Sequence, residues 1–251
     1  MRRLPASVAV LTALVACSGD GDDSESEREA LVVLAASSLT EAFADLEQAY
    51  EDEHPDIDVQ VSYDSSSVLA QQVLEGAPAD VLATADEATM AAVTDEGLAE
   101  PVPFATNTLT LVTPPDDPGD ISELADLGSA DVSFAICVPE APCGQAAQAL
   151  LELDGVDATP TTQQENVRAV LTQVTTGQVD AGLVYVTDAL AAGDEVRTIS
   201  VQNASEVVNS YPISVIAESE QADPAQDWVD LVVSRQGQQV LKSYGFGPAA
   251  T

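Results

Sequence analysis

The chain has 251 residues, room for one large or two ordinary domains, and its 45% apolar and 20% charged residues exclude wholesale disorder and fibrous repeats. Asp and Glu total 43 against 7 Lys and Arg, a formal net charge of -36, which excludes nucleic acid and anionic membrane surfaces as partners because both need clustered cations. The acidic excess runs the whole length with Lys242 as the single lysine, a pattern that suggests a salt-rich habitat, against the plainer reading of charge kept for solubility.

Met1-Arg2-Arg3 followed by the apolar, uncharged Leu4 to Ala16 reads as an export signal, too short to span a bilayer. It ends Leu14-Val15-Ala16-Cys17, which resembles the bacterial lipobox, where cleavage precedes a cysteine that is then lipidated. Residues 1–16 are therefore expected to be a signal peptide, Cys17 the lipidation site, and residues 17–29 an acidic tether with nothing to bury. Loss of Arg2 and Arg3 would leave five cations and all 43 acids in the mature chain.

Leu31 to Ala36 is a buried-strand run ending at Ser37-Ser38, after which Leu39, Ala42, Phe43, Leu46 and Tyr50 recur at helical spacing. Ile57, Val59, Val61 and Tyr63 alternate as a strand, and Ser65-Ser66-Ser67 opens a helix through Leu69 and Val73 that stops at Gly76. Ala79 to Ala85 gives a third strand and Glu87 to Asp95 a third helix. Beyond Pro101, strands are expected at Thr108 to Val112, Phe134 to Val138, Ala181 to Val186 and Tyr211 to Ala217. Helices are expected at Gly144 to Leu153 and Asn166 to Thr175, with a last one opened by Asp223-Pro224 and carrying Trp228, Leu231, Val232, Val240 and Leu241. This alternation means an α/β fold with a parallel sheet. Tyr50, Tyr63 and Trp228 sit at periodic apolar positions and are expected in the core.

With Cys17 set aside, Cys137 and Cys143 form an even pair in an exported chain, which favours a disulfide across a short loop holding Pro139 and Pro142. A metal site is disfavoured: His54, the lone histidine, lies in an Asp-Glu-His-Pro turn, and the Asp-rich stretches at 20–23 and 116–117 lack calcium-loop spacing. Strand ends that lead into helix amino termini gather unpaired N–H groups and partial positive charge, which bind anions without a cationic side chain. Ser38 and Ser66 stand at two such junctions, where they serve either as anion donors or simply as helix caps. Arg168 reads as half of a surface ion pair with Glu165.

Six blocks carry a family resemblance: Ala35-Ala36-Ser37-Ser38-Leu39-Thr40-Glu41-Ala42-Phe43, Ser65-Ser66-Ser67-Val68-Leu69-Ala70, Gly76-Ala77-Pro78-Ala79-Asp80-Val81, Glu165-Asn166-Val167-Arg168, Gly182-Leu183-Val184-Tyr185-Val186-Thr187-Asp188-Ala189 and Tyr244-Gly245-Phe246. In their order and spacing, from about Leu31 to Phe246, they resemble the molybdate-binding protein family of bacterial ABC importers. The resemblance implies a two-lobed, type II periplasmic binding protein fold, each lobe a mixed, mostly parallel sheet flanked by helices. Lobe 1 would be residues 30–106 and 212–251, lobe 2 residues 107–211. It also implies a molybdate or tungstate oxyanion held between the lobes: Ser38 and Ser66 would offer hydroxyl and N–H donors, Cys143 and Val167 their N–H groups, and Tyr185 its phenol. Cys143 departs from the small residue usual there, and Asp64 brings a carboxylate near the serines and is expected to point away.

The resemblance further implies a monomeric binding lipoprotein, lipid-anchored outside the cell membrane, that serves ABC permease subunits and has no cofactor and no catalytic residue. The metal would be present only as the bound oxyanion. A sulfate or phosphate binder is the alternative within the class. An exported serine hydrolase using Ser65 to Ser67 is the rival from outside it, and it lacks a base because His54 and Lys242 are far off in the chain.

Overall fold

The structure, a computed structural model, describes residues 28–249. The expected signal peptide, the Cys17 lipidation site and the tether up to residue 27 lie outside the described residues. The first apolar run is strand β1 (Glu29–Ala36), whose last four residues are all buried. The tether therefore ends sooner than its composition suggests. Arg28 pairs with Glu51 and Asp58, and those contacts hold the chain in place from residue 28 onward.

A 3₁₀ turn over Ser37–Leu39 leads into α1 (Thr40–Glu53), which buries Ala42, Phe43, Leu46 and Tyr50, the face that the helical spacing marks. Strand β2 (Ile57–Asp64), helix α2 (Ser66–Leu74), strand β3 (Val81–Ala83) and helix α3 (Glu87–Asp95) come after it, and Asp86 caps α3 by accepting from the Thr89 N–H. Strand β4 (Val102–Thr113) is much longer than its β-branched centre suggests. Next come β5 (Phe134–Cys137), α4 (Pro142–Leu153), β6 (Thr162–Gln164), α5 (Val167–Thr175), β7 (Ala181–Tyr185), α6 (Val186–Ala192) and β8 (Arg197–Ile199). The chain ends in β9 (Val208–Val215), α7 (Ala222–Val233), α8 (Arg235–Ser243) and β10 (Gly247–Pro248).

The strands lie in the order β2-β1-β3-β9-β4-β7-β5-β6, with β8 and β10 added against β4. The trio β2-β1-β3 is parallel, and so is β7-β5-β6. Between them β9 and β4 run antiparallel to each other and to their outer neighbours. Two mostly parallel half-sheets, each flanked by helices, are thus joined by two crossing strands, the two-lobed α/β arrangement expected above. Parallel strands must be covered on both faces, which is why β1, β5 and β7 read as continuous apolar runs.

Aromatic rings pack the core on the side of α1 and α7: Phe43 and Tyr50 each meet Trp228 edge-on at 5.6 Å between centroids. Tyr63 is only half-buried. Among the described residues no helix is long and apolar enough to cross a membrane. The last helical stretch departs from expectation by breaking in two at Ser234. Ser234 leaves the helical conformation, and its hydroxyl oxygen accepts the Gly237 N–H to cap α8. The two helices then turn so tightly that a Cβ on Gly237 would run into the Leu231 and Val232 carbonyl oxygens. Gly237→Ala is expected to cost about 1 to 3 kcal/mol of stability, the usual penalty of overpacking. Urea unfolding monitored by the buried Trp228 fluorescence reads it directly.

Candidate functional site

Parallel strands place their carboxyl ends on one side of each half-sheet, so the loops after β1, β2, β5 and β7 converge where the halves face each other. There Ser38, Ser66, Cys143, Val167 and Tyr185, the five residues singled out in the sequence, line one cavity of about 10 Å³. Sites for organic solutes usually span roughly 300 to 1,000 Å³, and a cavity this small, with room for about one water-sized group, does not accommodate such a solute.

Position in the helices accounts for the donors. Ser66 and Val167 are the first residues of α2 and α5, and Cys143 is the second of α4. N–H groups in a first helical turn have no intrahelical acceptor and sit at the positive end of the dipole. The Ser66 hydroxyl oxygen accepts the Ala85 N–H at 2.9 Å, which leaves its proton free. The Ser38 oxygen lies 2.9 Å from the Tyr211 phenol oxygen. Tyr185 ends β7 fully buried, and its hydroxyl has no partner. Burial, with Tyr211, Asp86 and Asp188 nearby, holds that phenol well above its ordinary range, so it stays a donor.

Cys137 and Cys143 are joined by a disulfide, their Cα atoms 5.7 Å apart, which ties the end of β5 to the first turn of α4. The Cys143 side chain is thereby drawn into the bridge, while the residue lines the cavity and its N–H, in the first turn of α4, has no intrahelical acceptor. Gly144 beside it has no room for a Cβ, which would strike the Val138 carbonyl.

Two expectations about charge need correction. Asp64 does not point away: it lines the cavity, but its Oδ1 already accepts the Ser65 N–H at 2.7 Å and the Asn166 Nδ2 at 3.0 Å. Asn166 caps α5 through its Oδ1, which orients the amide so that its nitrogen reaches Asp64 across the cleft. Arg168 pairs with Glu41 at 2.6 Å, not with Glu165. Glu165 precedes the helix cap and is exposed, so it has no helical spacing to Arg168, whereas Glu41 faces it from the first turn of α1 on the other half. Arg168 does not line the cavity, and no residue that does is cationic.

The sequence reading misses four buried residues behind the wall: Asn107 on β4, Thr187 and Asp188 on α6, and Tyr211 on β9. Tyr211 is visible in the sequence only as a strand residue. Asp188 lies in the block Tyr185-Val186-Thr187-Asp188, where a carboxylate three residues after a strand end is a capping signal. Its Oδ2 accepts the Tyr185 N–H at 3.2 Å, while Oδ1 has no partner. Burial pushes this carboxyl up to about 7, opposed mainly by the Arg168 charge.

Elsewhere, His54 stacks on Tyr50 at 4.3 Å between rings, and the Ser65 hydroxyl meets Ser67 at 3.0 Å, so no serine of the triplet touches a base. Among the described residues no group of three or more His, Cys, Asp or Glu could hold a metal ion.

The model of the family described as bacterial extracellular solute-binding protein matches residues 31–247. The molybdate-binding protein ModA of Mycobacterium tuberculosis is 35% identical over 247 residues, covering 96% of this chain and 95% of that one. The periplasmic molybdate-binding protein of Azotobacter vinelandii superposes with a TM-score of 0.78 at 17% identity, over 88% of this chain and 100% of that one. The sulfate-binding protein SubI of M. tuberculosis shares the fold at a TM-score of 0.75 and 19% identity, over 88% of this chain and 87% of that one.

The Asp188 carboxyl gives a pH test. Its folded value of about 7 lies above the ordinary 3.8 of a solvated aspartate, so between the two the folded chain binds more protons than the unfolded one. Stability from this group is complete below the lower value and is lost as pH rises through the upper one. Asp188→Asn, which keeps the acceptor for Tyr185, is expected to unfold with a flatter pH profile between about pH 5 and 8 and to be more stable than wild type at about pH 8. Equal slopes in thermal melts of the two proteins would contradict this.

Proposed function

The chain belongs to the family of bacterial extracellular solute-binding proteins, and from that premise we propose that it captures a tetrahedral oxyanion, molybdate or tungstate, between its two lobes and hands it to an ABC permease. The observation that carries the reading is the buried, unpartnered Tyr185 hydroxyl in a small cavity whose other donors are serine hydroxyls and first-turn N–H groups. A dianion leaving water gives up strong hydration, and many hydrogen bonds from fixed neutral dipoles offset that loss. Ser38, Ser66 and Tyr185 supply hydroxyls, and residues 38, 66, 143 and 167 supply N–H groups.

Lobe 1 in this reading comprises residues 30–106 and 212–251, lobe 2 residues 107–211, with β4 and β9 as the hinge. The pairs Asp64–Asn166 and Glu41–Arg168 fasten the lobes in the closed form. No bond in the ligand is broken. Cys17 anchors the chain by lipid at the outer face of the membrane, and the protein works as a monomer. Sulfate would meet the same donors, so discrimination against it comes from cavity size, molybdate having the longer metal to oxygen distance.

Tyr185→Phe is expected to weaken molybdate binding by about 1.5 to 3 kcal/mol, the range for a hydrogen bond to a charged partner. Arg168→Ala is expected to cost at most about 1 kcal/mol, because its ion pair is partly solvated and touches no ligand. Calorimetric titration with molybdate, tungstate, sulfate and phosphate ranks the ligands and both variants. The reverse order, with Arg168→Ala silencing binding and Tyr185→Phe inert, would show that a cation holds the anion. Salt gives a further check: with a net charge of -36, both the association rate and the melting temperature should rise between about 0.05 and 1 M potassium chloride as screening shortens the reach of repulsion.

A further inference from the structure

Resting on the oxyanion reading, we propose that Asn107 sets the direction of the hydroxyl protons at the cavity, acting through Tyr211 on Ser38 as a positioning residue. A serine hydroxyl has one proton to give and lone pairs to receive with. If Ser38 spends its proton on Tyr211, it turns lone pairs toward an anion. If it receives from Tyr211 instead, its own proton is left for the ligand. The geometry chooses between these states.

Asn107 Oδ1 accepts the Thr108 N–H at 3.0 Å, which settles the orientation of the amide. Its Nδ2 then faces Thr187 Oγ1 at 2.9 Å and the Tyr211 phenol oxygen at 3.5 Å. An amide nitrogen donates and does not accept, so the Tyr211 oxygen receives on that side. The Tyr211 proton is left for Ser38 Oγ, 2.9 Å away. Asn107, Tyr211 and Ser38 are exposed by only 4%, 0% and 4%, so water does not compete for these groups. The order Asn107 to Tyr211 to Ser38 to anion has every proton pointing inward. Ser66 obeys the same rule, its oxygen filled from behind by the Ala85 N–H. Asn107 and Tyr211 stand on the two crossing strands, so the polarity of a lobe 1 hydroxyl is set from the hinge.

Reversal of the relay is the test. Asn107→Asp replaces the donor by an acceptor of the same shape. The Tyr211 proton then turns to the new carboxylate, and Ser38 must donate to Tyr211. Molybdate titrations at about pH 8.5 are expected to show Asn107→Asp weakened by about a hundredfold or more and Tyr211→Phe by less than about tenfold. The double variant breaks the relay but keeps the added charge. It is expected to bind at least about tenfold more tightly than Asn107→Asp alone. A double variant no tighter than Asn107→Asp would mean that charge or misfolding explains the loss, and would overturn the relay.

Should Asn107→Asp fail to fold by circular dichroism, Asn107→Leu removes the donor without adding charge. Its loss should vanish on the Tyr211→Phe background, and additive losses would overturn the proposal equally. Wild-type protein that takes up no tetrahedral oxyanion overturns both this and the reading beneath it. Wild-type binding with an additive cycle overturns the relay alone.

Discussion

Between residues 102 and 108, β4 pairs with residues 208–213 of β9 running the opposite way, and through these two strands the chain passes from one parallel half-sheet to the other and back. Everything at the cavity depends on this ladder. It sets how the carboxyl ends of β1 and β7 face each other, and it carries Phe104 and Tyr211 into the core that the halves share. The short β10 adds a further rung by pairing Gly247 and Pro248 with Thr106 and Ala105. A joint made of two strands can bend where its rungs are few while each half keeps its own buried sheet.

The electrostatic problem is then local. The molecule carries far more acid than base, yet no cation lines the cavity, and the carboxylates nearest it are each engaged by the fold. Asp64 is occupied by two donors, and burial favours the protonated form of Asp188. Arg168, the cation closest in sequence to the wall, is engaged by Glu41 across the cleft. A set of hydroxyl and amide dipoles, held by helix starts, is left facing inward. Under the proposed function such dipoles would need little reorganisation on meeting an anion, because the fold has already oriented them.

Much of this is legible in the sequence because it is local. Leu31 to Ala36 is apolar without alternation, as a strand covered on both faces must be, and the serines after it stand at the start of a helical period. The pairing of Cys137 with Cys143 needs only the count of cysteines in an exported chain. Contacts that come together from afar cannot be read in this way. The Tyr211 and Ser38 contact spans 173 residues, and that of Asn107 with Thr187 spans 80. No periodicity encodes either. The Arg168 partner is misassigned for the same reason: proximity along the chain suggests Glu165, and proximity in space selects Glu41. The single helix expected at the end fails because Ser234 is apt both inside a helix and as a cap, and here it caps α8 at a turn so tight that only a glycine fits at 237.

The ion pairs of Arg28 carry a consequence for how the molecule presents itself. Strand β1 runs eight residues from Glu29 to Ala36, which at about 3.3 Å per residue separates its two ends by roughly 25 Å. The cavity sits at the Ala36 end, and the upstream chain departs from the Glu29 end, held there by Glu51 and Asp58. Whatever restrains the protein through that upstream segment pulls on the pole opposite the cleft. If the chain is anchored through Cys17 as proposed, the mouth would face away from the surface that holds it, and the molecule would have to swivel to offer that mouth to anything lying in that surface.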